Sequence, residues 1–299
     1  MPTDVRRVRL LITDLDNTLY DWVSSFVPAF YEMVRVAAGL LDVREEQLLD
    51  DLRVVHQRYR NSEQPFALLE TASVQTRLGM MTRADQARAL DPAFHVFNAA
   101  RRKHLRSYPG VIATLECIRK TGCAVVAHTE AVVENIIYRL DALDLLRYLD
   151  RVYAPEGVGI VHPFPEQLAR FNSAKQKLRA LPATHRKPEP TVVDDICHDF
   201  SVASSETVYV GDSLSRDVLM AKLAGAIAAH AEYGTRRDAQ LWQQLVRVTH
   251  WTEEDVQRER NLQAQSMDVA PDLVLGEFSD LLRPYRTPNG STRLEFVSH

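Results

Sequence analysis

Two aspartates, Asp14 and Asp16, directly follow the largely apolar run of residues 8–12. A short apolar run that ends in a polar cluster is typical of a buried parallel strand, and ligands of open α/β sheets bind beyond the carboxyl ends of such strands. A carboxylate at that place can attack as a nucleophile, and a pair of carboxylates offers the hard oxygen ligands that suit Mg²⁺. Taken alone, the segment also fits two aspartates that cap a helix or form a turn.

Three further segments place polar side chains where a predicted strand ends or a predicted helix begins. They supply Thr129 after the run 123–128, Lys187 before a helix, and Asp212 and Asp217 after the run 207–210. The chain therefore presents an acid pair, a hydroxyl, a lysine and a second acid pair, in that order. A match of several short motifs in order is far more specific than any one of them.

This ordered set resembles the four motifs of the haloacid dehalogenase superfamily, and the resemblance covers roughly residues 5–21 and 107–230. It implies that Asp14 is the nucleophile and forms an aspartyl-phosphate. It also implies that Asp16 protonates the leaving alcohol and then deprotonates the attacking water. Thr129 and Lys187 are expected to bind the phosphoryl group. Dehalogenases of the superfamily lack the second acid, so Asp16 indicates the phosphatase branch.

The same resemblance implies a Mg²⁺ cofactor. Its expected ligands are the Asp14 side chain, the backbone carbonyl of Asp16 and the Asp212 side chain. Asp217 is expected to support the site, either through a metal-bound water or through Lys187. A divalent cation would offset the repulsion between a carboxylate nucleophile and an anionic phosphate.

Composition bounds the class of protein. The 299 residues, 45% hydrophobic and 25% charged, are typical of a globular protein of about two domains. The net charge of −4 gives no case for a nucleic-acid partner or an anionic membrane. The three cysteines lack C-x-x-C spacing, which argues against a disulfide framework and a zinc site. No run approaches the ~18 apolar residues of a membrane span. We therefore expect a cytoplasmic protein.

The pattern of predicted elements divides the chain into two domains. Residues 1–21 and 107–299 alternate between strand and helix, which predicts an α/β fold with a doubly wound, Rossmann-like parallel sheet. Residues 22–106 show helical spacing and no strand pattern, which predicts an inserted all-helical cap domain. The polar tail beyond Pro284 is expected to be mobile.

Two long connections, residues 155–186 and 234–271, exceed the usual loop length. The first contains a predicted basic helical piece from about Arg170 to Arg179. It either overhangs the site or is a solvated surface excursion, and the sequence leaves both open. For the second connection, which is highly charged, a solvated excursion is favoured.

The predicted function is Mg²⁺-dependent hydrolysis of a small phosphate monoester, with a small phosphorylated metabolite as the partner. A nucleoside monophosphate is favoured as the substrate because residues 22–106 offer aromatic side chains such as Trp22, Tyr31 and Phe66. Two alternatives are a phosphomutase that uses the same aspartyl-phosphate and a noncatalytic phosphate-binding or interaction protein, since fold alone does not give function. The sequence leaves the oligomeric state open, a homodimer included.

Overall fold

The computed structural model describes residues 4–159, 161–164, 174–287 and 290–299. Its strands are β1 Asp4–Val8, β2 Leu10–Thr13, β3 Ala124–His128, β4 Arg151–Pro155, β5 Leu178–Leu181, β6 Thr207–Gly211, β7 Ile227–His230, β8 Leu273–Val274, β9 Tyr285–Thr287 and β10 Gly290–Phe296. Its α-helices are α1 Trp22–Leu41, α2 Glu45–Tyr59, α3 Ala72–Leu78, α4 Arg83–Ala89, α5 Asp91–His104, α6 Val111–Lys120, α7 Val133–Ala142, α8 Pro190–Asp199, α9 Leu219–Leu223, α10 Ala239–Val248 and α11 Glu253–Ser266.

Seven parallel strands form the main sheet, in the order β5-β4-β3-β2-β6-β7-β8. The central strand β2 lies between β3 and β6, and every residue of these three strands is buried. Burial on both faces explains why their sequences are continuous apolar runs. The chain builds the sheet outward from β2 on one side and then on the other. The carboxyl end of β2 is therefore the topological switch point, where ligands of such sheets bind.

Helices cover both faces of this sheet. Leu11 of β2 packs in one hydrophobic cluster with α6 and α7. Leu10 and Ile12 point the opposite way, into a second cluster with α8 and α9. Alternate residues of a strand face opposite sides of the sheet, so one four-residue strand contributes to both cores. This arrangement confirms the predicted α/β fold with a doubly wound parallel sheet.

The ends of the chain form a second, three-stranded sheet that the sequence did not predict. Strand β1 pairs in parallel with β10, and β10 pairs antiparallel with β9. The expected mobility of the tail beyond Pro284 is therefore wrong. Thr292, Leu294 and Phe296 are buried while the residues between them are exposed, which is the two-residue period of a half-buried strand.

A helical block, residues 22–104, connects β2 to the rest of the sheet domain. It contains α1 to α5 and has a hydrophobic core of its own, with Phe26, Phe30 and Leu52 among its members. The Asp21 carboxylate begins α1 by accepting the Ser24 N–H at 2.9 Å, a typical N-cap. The chain returns beside its starting point, where Tyr20 forms a β-bridge with Ser107.

The connection 234–271 is not the solvated excursion that its charge favoured. Leu245 and Val248 of α10 are buried in the core of the helical block. The Val248 carbonyl also bonds to the buried His56 ring at 2.7 Å. Helix α10 is amphipathic, with apolar residues at helical spacing, and that pattern outweighs the charged composition of the segment.

The connection 155–186 is partly within the described residues. Its residues 178–181 form β5, so the helix expected from Arg170 to Arg179 is wrong at its end, while Arg170 lies outside the described residues. Upstream, the Val158 carbonyl accepts from Gln64 at 3.2 Å, and Phe164 packs against the core of the helical block. The described part of this connection therefore contacts the block. Among the α-helices that the structure describes, none combines the length and apolarity needed to cross a bilayer.

Candidate functional site

Asp14 lies at the carboxyl end of β2, where the sheet order reverses. Its N–H donates to the Val210 carbonyl at 2.8 Å, which fixes it against β6. The chain then turns sharply: Asn17 adopts a left-handed conformation with φ 59°, and its N–H donates to the Tyr20 carbonyl at 2.8 Å. This turn carries Asp16 away from the strand and toward the helical block.

Lys187 reaches Asp14 from the loop before α8. Its side chain is 2% exposed. The Nζ atom lies 2.6 Å from Asp14 Oδ1, 2.8 Å from Asp217 Oδ1 and 3.0 Å from the His128 carbonyl oxygen. Three acceptors match the three protons of an ammonium, so the cation is held in one place.

The second acid pair follows β6. Asp217 accepts the Ser213 N–H at 3.1 Å, and Asp212 accepts from Arg237 at 2.6 Å. A side chain on Gly211 would place its Cβ 2.2 Å from Asp217 Cγ, so only glycine leaves room for this carboxylate. We call Asp14, Asp212, Asp217, Lys187 and Arg237 the carboxylate corner. The structure brings four predicted site residues, Asp14, Lys187, Asp212 and Asp217, together here.

Burial and mutual repulsion shape the electrostatics of the corner. Burial raises the pKa of Asp14 well above its ordinary value, and the charges of Asp217 and Asp212 add to this against the Lys187 ammonium. Burial, with the charge of Asp217, also raises the pKa of Asp212 to about 6 although Arg237 opposes it. Burial opposes the charge on Lys187, but the carboxylates of Asp14 and Asp217 outweigh it and hold its pKa well above the ordinary value.

The donor set of the corner fits a hard divalent cation. Carboxylate oxygens of Asp14, Asp212 and Asp217 all lie within 4.8 Å of one another. Within the described residues, these three acids form salt bridges with only two cations, Lys187 and Arg237. A buried excess of negative charge is costly unless it is paired, and oxygen ligands suit Mg²⁺. Two of the three expected ligands, Asp14 and Asp212, thus lie with Asp217 where a divalent cation could bind, and the Asp16 carbonyl stays a prediction.

Asp16 lies apart from the corner, in a salt bridge that the sequence did not predict. Its Oδ1 accepts from Arg139 Nη1 at 2.7 Å, and the other Arg139 nitrogen contacts Glu63 of the helical block. Burial raises the pKa of Asp16, although Arg139 opposes the shift. A carboxyl with a raised pKa holds its proton nearer neutral pH, as a general acid must. Arg139 thus connects the second acid to the helical block.

The sequence gives only a weak indication that Arg139 belongs to the site. Arg139 is 7% exposed and lies on α7 between the buried Ile136 and Leu140. A charged residue on the apolar side of an amphipathic helix indicates a buried partner, because an unpaired buried charge is expensive. Nothing in the local sequence shows which acid that partner is.

Thr129 directly follows β3, the strand beside β2. It is 2% exposed, and its hydroxyl oxygen accepts the Ala131 N–H at 3.1 Å. Its N–H donates to the Tyr153 carbonyl of β4 at 3.1 Å. The structure thus places Thr129 at the same edge of the sheet as Asp14, and its role in phosphate binding stays a prediction.

An ion-pair network supports the corner from α11. Arg216 contacts Glu259 at 2.7 Å and Glu130 at 3.2 Å, and Glu130 in turn accepts the Lys187 N–H at 3.1 Å. Arg258 donates to the Lys187 carbonyl at 2.7 Å. The backbone of Lys187 is therefore held from two sides. Sequence reasoning missed this network because two of its four members, Arg258 and Glu259, belong to the connection 234–271.

A doubly wound sheet that brings an aspartate and a buried lysine together at its switch point is typical of an α/β enzyme. The family model of the haloacid dehalogenase-like hydrolases matches residues 8–225, and a second model, described as HAD-hydrolase-like, matches residues 184–280. The chain belongs to the haloacid dehalogenase-like hydrolases. The resemblance inferred from the motifs and the predicted hydrolase class are confirmed.

Two known proteins show how far the similarity extends. The chain is 26% identical to a glyceraldehyde 3-phosphate phosphatase of Methanopyrus kandleri over 235 residues, which are 77% of this chain and 87% of the relative. Among solved structures, a 2-haloacid dehalogenase from Pseudomonas syringae pv. Tomato DC3000 matches with a TM-score of 0.56 and 18% identity. That match covers 92% of this chain and 96% of the dehalogenase, and it supports the fold alone.

Proposed function

We propose that this hydrolase is a Mg²⁺-dependent phosphatase of small phosphate monoesters that works through an aspartyl-phosphate. The observation that carries the proposal is the buried Lys187 ammonium, 2.6 Å from Asp14 and 2.8 Å from Asp217, next to Asp212. This arrangement offers a nucleophile, a cation for the phosphoryl oxygens and ligands for a metal. The similarity to a phosphatase from Methanopyrus kandleri supports it.

In the proposed reaction, Asp14 attacks the phosphorus and forms the acyl phosphate, and the bond to the leaving oxygen breaks. Asp16 starts protonated and gives its proton to that oxygen. It then takes a proton from the water that hydrolyses the acyl phosphate. Thr129 binds the phosphoryl oxygens, and the positive charge of Lys187 attracts them as negative charge develops there. Mg²⁺ would be held by Asp14, the Asp16 carbonyl and Asp212, with Asp217 supporting Lys187, and would supply neutralisation of the phosphate charge.

Asp16 separates this proposal from carbon–halogen cleavage. A halide leaves without a proton, whereas an alkoxide needs a general acid. The raised pKa of Asp16 and its fixed position beside Arg139 at 2.7 Å suit that task. We therefore assign the chain to phosphoryl chemistry although the solved structure described above is a dehalogenase.

In this proposal, the helical block acts as the cap domain. Its Glu63 contacts Arg139, and Arg139 contacts Asp16. Movement of the block would therefore change the position of Asp16. A cap that closes over a small substrate excludes water from the reaction.

Cytoplasmic location and oligomeric state stay predictions, and the partner that we propose is a small phosphorylated metabolite.

Two of the aromatic side chains that favoured a nucleoside monophosphate, Tyr31 and Phe66, have partners within the protein. The Tyr31 hydroxyl donates to the Gln244 carbonyl at 3.0 Å, and Phe66 packs edge-on against Phe94. Only Trp22 of the three lines the cavity beside Arg139. The structure therefore adds no support to a nucleoside substrate, and that preference stays a prediction.

Phosphate release from 4-nitrophenyl phosphate tests the proposal. We expect turnover with Mg²⁺, none in excess EDTA and recovery when Mg²⁺ is restored, because three acids crowd the anionic substrate. Ca²⁺ should support turnover poorly, since its coordination is larger and looser. Full activity in EDTA would contradict the mechanism. Release of no phosphate from any monoester, with phosphate moved within a sugar instead, would favour the phosphomutase.

A further inference from the structure

A small cavity lies beside Arg139, the partner of Asp16, between the helical block and α7. Its lining includes Trp22, Phe26, Phe97, Arg101, Tyr138 and Arg139. The cavity measures about 10 Å³, which is the space of one water molecule. Arg139 both lines this cavity and binds Asp16, so a single side chain connects the cavity to the second acid.

Three polar atoms in this lining have no hydrogen-bond partner among the described residues. They are Trp22 Nε1, Arg101 Nε and the Tyr138 hydroxyl oxygen, all buried. The tryptophan and arginine nitrogens can only donate, and the tyrosine hydroxyl has one proton to give. Buried donors without acceptors are costly, and their coincidence in one cavity indicates a ligand rich in acceptors.

Arg101 adds a positive charge to this set. Its guanidinium carbon lies 3.9 Å from the ring centroid of Tyr138 and 5.1 Å from that of Phe97. In the part of the chain that the structure describes, no carboxylate lies within ion-pair distance of Arg101. Glu63, the acid that lines the same cavity, is bound to Arg139 instead. Arg101 is thus a positioned cation that the charge of Glu63 attracts but that forms no ion pair among the described residues.

We propose that this cavity is the leaving-group subsite and that it binds a carboxylate. The inference rests on the proposed phosphatase function and narrows its substrate to the phosphate ester of a short hydroxy acid. Arg101 would pair with the carboxylate while Trp22 and Tyr138 donate to it. A carboxylate fits better than a second phosphate because it is planar, matches a guanidinium with two parallel hydrogen bonds and needs the least opening of so small a cavity.

Three probe esters test this assignment. 3-Phosphoglycerate and glycerol 3-phosphate have the same three-carbon skeleton and differ only in carrying a carboxylate or an alcohol at the far carbon. Propane-1,3-diol bisphosphate offers a phosphate there. We expect kcat/KM of the wild-type enzyme with Mg²⁺ to be at least about 100-fold higher for 3-phosphoglycerate than for glycerol 3-phosphate, because a site with buried donors rejects a ligand that leaves them unpaired.

Variants then show which side chains bind the carboxylate. Arg101→Gln should lower the ratio of the two kcat/KM values to near one, and Trp22→Phe and Tyr138→Phe, which each remove one donor, should lower it several-fold. Arg102→Gln changes the neighbouring, exposed arginine of the same helix and should keep the wild-type ratio. Melting temperatures of all variants confirm that each is folded, and the ratio corrects for any general loss of activity.

The outcomes separate this inference from the proposed function. If the wild type hydrolyses 4-nitrophenyl phosphate but does not prefer 3-phosphoglycerate, the subsite assignment is wrong and the phosphatase stands. The assignment is also wrong if Arg101→Gln lowers both esters in parallel, or if the bisphosphate is the better substrate. If no phosphate ester is hydrolysed with Mg²⁺, the proposed function fails and this inference fails with it.

Discussion

The carboxylate corner and the cavity beside Arg139 are both buried, but the cations of the corner form ion pairs, whereas Arg101 in the cavity forms none among the described residues. In the corner every cation has an acid beside it: Lys187 contacts two aspartates and Arg237 contacts a third. In the cavity, Arg101 has no acidic partner among the described residues, and two neighbouring donors lack acceptors. A paired buried group is expensive to disturb, whereas an unpaired donor is expensive as it stands and is stabilised by a ligand.

This difference separates what all substrates share from what distinguishes them. Every phosphate monoester presents the same phosphoryl group, so one corner can serve all of these esters. The leaving group varies, and only contacts with it can discriminate between esters. Asp16 lies between the two regions because Arg139 binds it and also lines the cavity. Substitutions in the corner should therefore affect all esters alike, and effects that depend on the ester should begin at Asp16.

The largest expected effect comes from the nucleophile. Asp14→Asn replaces an attacking carboxylate with an amide and should lower kcat by at least about 10⁴-fold for every ester, as the loss of a nucleophile does elsewhere. Measurements of kcat for each ester, and of the amount of phosphoenzyme that can be trapped, test this prediction. Asp144→Asn, a change at an exposed aspartate on the surface, is the matched control and should keep wild-type kcat. Loss for one ester and not for another would break the distinction between the two regions.

Asp16→Asn should have the next largest effect, and its size should depend on the leaving group. We expect a loss of about 10²- to 10⁴-fold for an alkyl phosphate, the usual contribution of general acid catalysis. The loss should be much smaller for 4-nitrophenyl phosphate, whose leaving group departs without a proton. Parallel measurements of kcat on both esters decide the matter. Equal losses would remove Asp16 from the role of general acid.

The fold could be predicted from sequence where burial is complete. Strands β2, β3 and β6 are buried on both faces, so their apolar runs carry the signal without help from distant residues. Strand β10 was missed because alternation in a polar tail, with only Leu294 and Phe296 as large apolar residues, is a weak signal. The packing of α10 was missed because its charged neighbours dominated the composition of that segment.

The same contrast holds for the site. Asp14, Lys187, Asp212 and Asp217 could be predicted to meet because each follows a strand or precedes a helix at one edge of the sheet. Arg139 and Arg101 lie inside helices, with no motif around them. Their partners are set by tertiary contacts, as between Arg139 and Asp16, which lie 123 residues apart. A sequence shows that such a charge needs a partner, but the fold decides which one.

Acid should weaken the contacts between the helical block and the connection 234–271. Burial lowers the pKa of His56 to about 4, and burial likewise lowers the pKa of His250 to about 4. A histidine with a depressed pKa in the folded state contributes stability that is present above its unfolded pKa of about 6.5 and is lost as pH falls toward 4. Between pH 7 and pH 5, His56 alone should cost about 2 kcal/mol of unfolding free energy.

Urea unfolding between pH 5 and pH 7 measures this dependence. The glutamine of His56→Gln cannot be protonated in this pH range. The unfolding free energy of this variant should therefore fall by about 2 kcal/mol less than that of the wild type between pH 7 and pH 5, even if its stability at pH 7 differs. His95→Gln, a change at an exposed histidine of α5, should keep the wild-type slope. An unchanged slope in His56→Gln would show that its protonation is not coupled to unfolding and that the block is held differently from what its contacts indicate.

The smallest expected effects come from a pair of glycine substitutions, one in each region. Gly211→Ala would place a Cβ 2.2 Å from Asp217 Cγ, and this buried carboxylate has no room to retreat without losing Lys187. We expect a loss of at least about 1 kcal/mol of stability, as for other overpacked sites, together with lower kcat for all esters.

Gly39→Ala, in α1 of the helical block, meets no atom within 4 Å and should instead stabilise the protein by roughly 0.5–1 kcal/mol through better helix propensity. Urea midpoints and kcat of the two variants compare a crowded position with an open one under the same change. If Gly211→Ala keeps wild-type stability and kcat, the corner is looser than its distances indicate, and its tight fit around Asp217 would not be needed for turnover.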